Sequence, residues 1–167
     1  RLIALDPGTD LALMKLPESH QPYPYVPLAD SPPELVEPVY LIGSPIYRHH
    51  VYHSGRVAGL GTSFEYLPSR QHYVEIVRVT GPSPPGTSGG PWLNSRGELV
   101  GTQVGLMHDR THPTQIAYMS PLASVRSLLR LARTVKTPSL LLGLEEFWEQ
   151  NDEYRSKYPP AQEGLFV

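Results

Sequence analysis

Apolar and polar residues alternate in short bursts along most of this chain, and each burst is closed by a turn signal. Arg1–Leu5 is a short apolar run ended by Asp6-Pro7-Gly8-Thr9. Asp10–Leu16 follows, with Leu11 and Leu13 on one face and Ala12, Met14 and Leu16 on the other. Apolar residues on both faces suit a strand in a barrel wall. Val39–Gly43 and Val51–Gly61 predict two more strands, the second bent at Gly55, Gly59 and Gly61. Tyr73–Thr80 sets Val74, Ile76 and Arg78 against Tyr73, Glu75, Val77 and Val79. Leu99–Met107 and Ile116–Ser120 complete the strands, and Asn94-Ser95-Arg96-Gly97 predicts a hairpin joining Trp92-Leu93 to Glu98-Leu99-Val100. Short strands separated by turn signals imply an all-β barrel or sandwich.

The rhythm turns helical once, over Leu122–Val135. There Leu122, Val125, Leu128, Leu129 and Ala132 recur at steps of three and four. Ser120 is the expected N-cap, with Pro121 at the first helical position. Arg126, Arg130 and Arg133 predict a solvated face. Pro17–Pro38 has no period and carries Pro22, Pro24, Pro27, Pro32 and Pro33. Proline is excluded from central strands and helix interiors, so this stretch is expected to connect two packed halves without joining a core.

After Lys136-Thr137-Pro138 comes an apolar run, Leu140–Leu144, then an acidic, helix-compatible Glu145–Lys157, then a strand starting at Leu165–Val167. About thirty residues cannot build a core alone. Residues 136–167 therefore read as a linker and the opening of a second domain, and residues 1–135 as the main one.

Composition narrows the functional classes. The 167 residues carry a net charge of −2 with no long basic run, which argues against nucleic acid as a partner. No stretch of 18 apolar residues offers a membrane span. The chain has no cysteine, so disulfides and thiolate metal sites are excluded. His49, His50 and His53 are the one histidine cluster, but strand spacing divides them and no acidic residue is adjacent, so no metal site is expected.

One stretch carries chemistry: Pro85-Gly86-Thr87-Ser88-Gly89-Gly90-Pro91. A serine hydroxyl attacks a carbonyl only if a base takes its proton and amide donors meet the oxyanion. Glycines on both sides permit a tight turn about Ser88, and Gly86, two residues earlier, lets its N–H point the same way as that of Ser88. Asp10, 78 positions upstream (88 − 10), opens a strand and reads by itself as a turn cap or as a carboxylate able to orient a histidine base, a choice that the Ser88 turn reopens.

Asp10 opening "DLALMKL" and Ser88 in "PGTSGGP" enclose "PLADS", "VYLIGSP" and "SGRVAGLG", and "GELVGTQ" and "AYMSPLASVRSLL" follow. This order resembles trypsin-like serine proteases of the HtrA/Deg type over roughly residues 1 to 135. The resemblance implies a trypsin-like double β-barrel: the end of the first barrel, a crossover, a complete second barrel, then a C-terminal helix. It implies Ser88 as nucleophile, Asp10 as the carboxylate that orients the imidazole, and the Gly86 and Ser88 N–H groups as the oxyanion hole. Thr87 departs from the Asn or Asp usual beside the nucleophile. By the same mapping Pro82, Ser83, Val104 and Gly105 approach the specificity pocket, and none is charged, so small or medium apolar side chains are the expected preference. No cofactor is implied. Polypeptides are the implied substrates, a homotrimer the implied assembly, and an extracytoplasmic compartment the implied location. Leu142-Gly143-Leu144 and "EGLFV" resemble the start of a PDZ domain, whose loop N–H groups capture a peptide C-terminus.

The family's catalytic histidine precedes the aspartate, whereas His20, His49, His50, His53, His72, His108 and His112 all follow Asp10. The sequence-based expectation is accordingly a fragment, inert alone, of a serine endopeptidase. The alternative is an inactive protease-fold protein that binds peptides.

Overall fold

The computed structural model describes residues 1–59, 61–67, 72–107, 114–136, 145–146, 152–158 and 165–166. The chain divides into two units, Arg1–Lys136 and Thr137–Val167.

The first unit begins with an antiparallel hairpin of β1 (Leu2–Asp6) and β2 (Leu11–Met14), in register Asp6↔Leu11, Leu5↔Ala12 and Ala4↔Leu13. A 3-10 turn over Pro7–Thr9 joins them and leaves Asp10 left-handed at φ 54. The second sheet comprises β3 (Pro38–Gly43), β4 (Val51–Val57), β5 (Ser63–Leu67), β6 (His72–Thr80), β7 (Pro91–Leu93), β8 (Leu99–Leu106) and β9 (Ile116–Pro121). Its order is β4-β3-β7-β8-β9-β6-β5, and β4 also pairs with β6 through Arg56↔Thr80 and Val57↔Val79. That second pairing closes six antiparallel strands into a barrel and leaves β5 attached to the other half of β6. Closure removes the exposed edges an open sheet would present.

One face of the barrel wall holds the larger core: Val39, Leu41, Val57, Val79, Trp92, Val100 and Met119 among others, with Trp92 fully enclosed. Trp92 donates its indole N–H to Gln103 Oε1 at 2.8 Å, which satisfies both buried polar groups. A smaller cluster of Val74, Ile76, Val104 and Tyr118 lies on the opposite face. β6 serves both. Val74 and Ile76 face one cluster and Val77 and Val79 the other, so Ile76 and Val77 are buried in succession.

Several details correct the expectations. β4 stops at Val57, and the segment beyond it forms a strand of its own, β5. β5 turns Glu65 inward, where its carboxylate meets Arg78 Nη2 at 2.7 Å, and turns Phe64 and Tyr66 to solvent. The proline-rich stretch does reach the core. Ala29 N–H donates to Leu99 O (3.0 Å), Leu99 N–H donates to Pro27 O (2.7 Å), and Ala29 is 1% exposed. Extended backbone between prolines can still lend single hydrogen bonds to a strand end, here at the start of β8.

Ser120 is not the helix cap. It is buried in β9 with its hydroxyl 2.6 Å from that of Thr102, and Pro121 takes the cap position of α1 (Leu122–Leu131). The helix ends before Val135 because Ala132 is left-handed (φ 46), its N–H closing on Leu128 O at 2.9 Å. Arg126 is not merely solvated: its guanidinium donates to Ala29 O. Past the helix, Val135 N–H donates to Leu5 O (2.8 Å) and Leu5 N–H donates to Thr134 Oγ1 (3.2 Å), which holds the end of the first unit against β1.

In the second unit, β10 (Glu145–Glu146) pairs antiparallel with β11 (Leu165–Phe166), and α2 (Asp152–Arg155) lies between them in sequence. Tyr154 and Tyr158 approach with ring centroids 5.4 Å apart and a hydroxyl contact of 3.2 Å. The Leu142-Gly143-Leu144 loop lies outside the described residues, as does most of "EGLFV".

Candidate active site

The turn about Ser88 is built by its neighbours. Thr87 is 1% exposed, and its N–H and hydroxyl both donate to Pro84 O, at 3.2 and 2.8 Å. Gly89 N–H donates to Gln103 O (2.8 Å), Gln103 N–H donates to Gly90 O (2.8 Å), and Gly90 N–H donates to Thr87 O (2.9 Å). Among the described residues, neither Gly86 N–H nor Ser88 N–H has an intramolecular acceptor. Ser88 itself is exposed. The fold thus engages every other amide from Thr87 to Gly90 and leaves two donors, two residues apart, beside an accessible hydroxyl.

Gly86 is required here. Its φ is +97, and a Cβ would stand 2.7 Å from Ser44 O, 3.2 Å from Pro45 Cα and 3.3 Å from Ile46 N. The opposing segment is the β3–β4 connection, whose Ile46 N–H donates to Pro85 O at 3.3 Å. Ile46, Tyr47 and His50 in it are all left-handed (φ 49, 60 and 59). Such backbone costs of order 1–3 kcal/mol per residue and persists only where neighbours dictate it.

The predicted pocket residues fall into two groups. Pro82 and Ser83 line a cleft of about 280 Å³ with Gly81, Pro84, Pro85, Leu106 and Ile116, leading up to the Ser88 turn. Val104 lies in the smaller apolar cluster, and Gly105 follows a register shift in β8. Both come directly after Gln103, whose backbone holds Gly89 and Gly90. The Thr87 departure has a local account: its side chain is enclosed, within 3.4 Å of Ser83 Oγ, and so caps the turn from within.

Asp10 follows the 3-10 turn that packs on β6. His72 of β6 donates its Nε2–H to Pro7 O at 2.8 Å, which fixes that turn to the strand leading into residues 81–88. Sequence reasoning missed this contact, since Pro7 and His72 stand 65 positions apart and meet only through the tertiary fold. The other histidines are distributed. His49 and His50 lie on the strained connection with rings 6.2 Å apart, and the buried Nε2 of His53 on β4 has no hydrogen-bond partner among the described residues. His20 is exposed, and His108 and His112 lie outside the described residues. Among the described residues no three histidine, aspartate or glutamate side chains gather as a metal site.

The profile of the trypsin-like peptidase domain matches residues 1–101. The chain belongs to the trypsin-like peptidase family. Its relatives bear Do-like and DegP-like protease names. Protease Do-like 1 of the Arabidopsis thaliana chloroplast is 23% identical over 92% of this chain and 35% of its own length. A DegP-like protein of Marinomonas sp., named as a periplasmic serine endoprotease, is 38% identical over 60% of this chain and 20% of its own length. The family chain thus spans less than half the length of these curated relatives. In fold it is similar to a protease of M. tuberculosis in its active form, with a TM-score of 0.66 and 19% identity, covering 83% of this chain and 60% of that one. It is likewise similar to the serine endoprotease of Yersinia pestis, with a TM-score of 0.63 and 22% identity, covering 79% and 43%. The expected HtrA/Deg resemblance and double-barrel fold class are met: a hairpin of the first barrel, a closed second barrel and the helix after it.

Proposed function

We propose that this chain belongs to a serine endopeptidase that cleaves polypeptides through an acyl-enzyme on Ser88. The observation that carries the reading is the pair of uncommitted amides, Gly86 and Ser88, beside an exposed hydroxyl in a turn whose remaining amides are all engaged. Ser88 Oγ attacks the scissile carbonyl, and its proton passes to an imidazole. The two amides hold the oxyanion, and the imidazole returns the proton to the leaving amine before water releases the acyl group. Asp10 keeps the imidazole in the tautomer that accepts at its outer nitrogen. Pro82 and Ser83, with Val104 and Gly105 behind them, shape an uncharged pocket for a small or medium apolar side chain. Following the relatives named as periplasmic, we place the protein outside the cytoplasm, and we extend the proposal to a homotrimer.

The test is covalent labelling with a fluorophosphonate, run on residues 1–167 and on the full-length protein. Labelling of the full-length protein that vanishes in Ser88→Ala is the expected result. Absence of label, or label surviving that substitution, overturns the reading in favour of a protease-fold binding protein. Labelling of residues 1–167 as well would assign the base to one of their seven histidines.

A further inference from the structure

Where β3, β4 and β6 meet to close the barrel, the wall carries a second and larger cleft of about 430 Å³. It is lined by Pro38, Tyr40, Tyr52, Ser54, Arg56 and Thr80, and no carboxylate is among them. Tyr40 and Tyr52 stack across β3 and β4 with centroids 5.6 Å apart and planes 23° apart. Among the described residues the hydroxyls of Tyr40, Tyr52 and Ser54 have no protein partner.

Arg56 differs from two other arginines of the barrel. Arg78 is held by Glu65 and Arg96 by Glu98, each at 2.7 Å. Arg56 has no acidic partner among the described residues. Its Nη1 donates to Val36 O at 3.0 Å, and the rest of its fork is left for something else. Val36 is itself left-handed at φ 67, an unfavourable conformation for a β-branched residue, and its N–H is tied to Val57 O at 2.9 Å. A strained carbonyl therefore fixes the guanidinium at the cleft. Glu37, the residue after Val36, accepts from the Glu34 N–H at 2.8 Å.

A guanidinium held at one nitrogen among hydroxyl donors, beside a stacked pair of half-buried Tyr40 and exposed Tyr52, matches a carboxylate attached to an apolar segment. We propose that this cleft binds a polypeptide carboxylate, with the charge on Arg56 and the adjoining apolar side chain against Tyr52. The chain's overall charge of −2 makes this a local site and not part of a general basic surface.

The experiment is an amide NMR titration of the full chain carrying Ser88→Ala, so that no peptide is cut. Three synthetic pentapeptides are used: one with an internal Glu between phenylalanines and a blocked C-terminus, one with Gln in its place and a free C-terminal carboxylate, and one with Gln and a blocked end. Inorganic phosphate is a fourth probe. Saturable shifts at Tyr52, Ser54 and Arg56 are expected with either carboxylate peptide, and the responding peptide tells side-chain from C-terminal recognition. Arg56→Gln should weaken that binding about tenfold or more. Tyr52→Ala, at an exposed position, is the second variant and should weaken it about threefold. No saturable shift, equal shifts with the neutral peptide, shifts with phosphate alone, or unchanged binding in both variants would overturn the proposal.

Discussion

Gly86 and Gly89 flank Ser88 with positive φ, +97 and +78, yet they meet different surroundings. Nothing lies within 4 Å of a Cβ on Gly89, whereas a Cβ on Gly86 would stand 2.7 Å from the Ser44 carbonyl. Gly89→Ala therefore incurs only the conformational cost, about 1–2 kcal/mol. Gly86→Ala incurs that cost plus displacement of backbone against backbone, about 1–3 kcal/mol more, because neither Ser44 nor Pro45 can rotate away. Each kcal/mol should lower the melting midpoint by roughly 3–5 °C in a domain of this size. The steric shift also moves the Gly86 amide, one of the two uncommitted donors. Loss of one oxyanion donor lowers turnover by about 10²–10³. The assay is a thermal melt together with the rate of fluorophosphonate labelling of the full-length protein. Gly86→Ala should melt markedly lower and label at least about 100-fold more slowly. Gly89→Ala should melt slightly lower and label at nearly the wild-type rate. Equal effects of the two substitutions on both readouts would refute the steric account of the turn.

Further outcomes rest on neighbouring groups. Asp10→Asn in the full-length protein should keep its melting point while labelling slows by about 10³–10⁴, as measured by label incorporation over time. Gln103→Leu strands the Trp92 indole N–H in the core and should cost about 1–3 kcal/mol in urea unfolding, with the Ser88 turn still held by backbone bonds. Burial, with help from the Glu65 charge, pushes the Tyr118 phenol up to about 12. The neutral phenol is the form the fold favours, so its full contribution is present below pH 10. Between pH 10 and 12 the unfolded chain ionises first and stability falls by on the order of 2 kcal/mol. Urea melts across that range should show the fall, and Tyr118→Phe should remove it; identical slopes would count against the burial argument.

What could be read from residue order was what local physics decides. The apolar bursts at Val39–Gly43 and Leu99–Met107 and the Asn94 turn marked real strands and a real hairpin, because barrel walls bury both faces and turns need their particular residues. β5 was invisible for the opposite reason. Its aromatic residues face water and its glutamate faces Arg78, inverting the pattern, and only a tertiary ion pair explains that. The shift of burial within β6 between Ile76 and Val77 needs knowledge of two clusters on two faces. In the candidate site, Ser88 and its glycines were legible from the turn chemistry. The engagement of Thr87 and Gly89, and hence the two amides left over, was not, because Pro84 O and Gln103 O are set by folding. Nor could spacing reveal that Pro7 lies against His72.

The contact of Val135 and Thr134 with Leu5 spans almost the entire first unit. During synthesis the hairpin bearing Asp10 emerges about 130 residues before its outer latch is made. A nascent chain would thus expose its carboxylate turn long before that turn is clamped. The latch on Leu5 closes only once α1 and the residues just after it have cleared the exit.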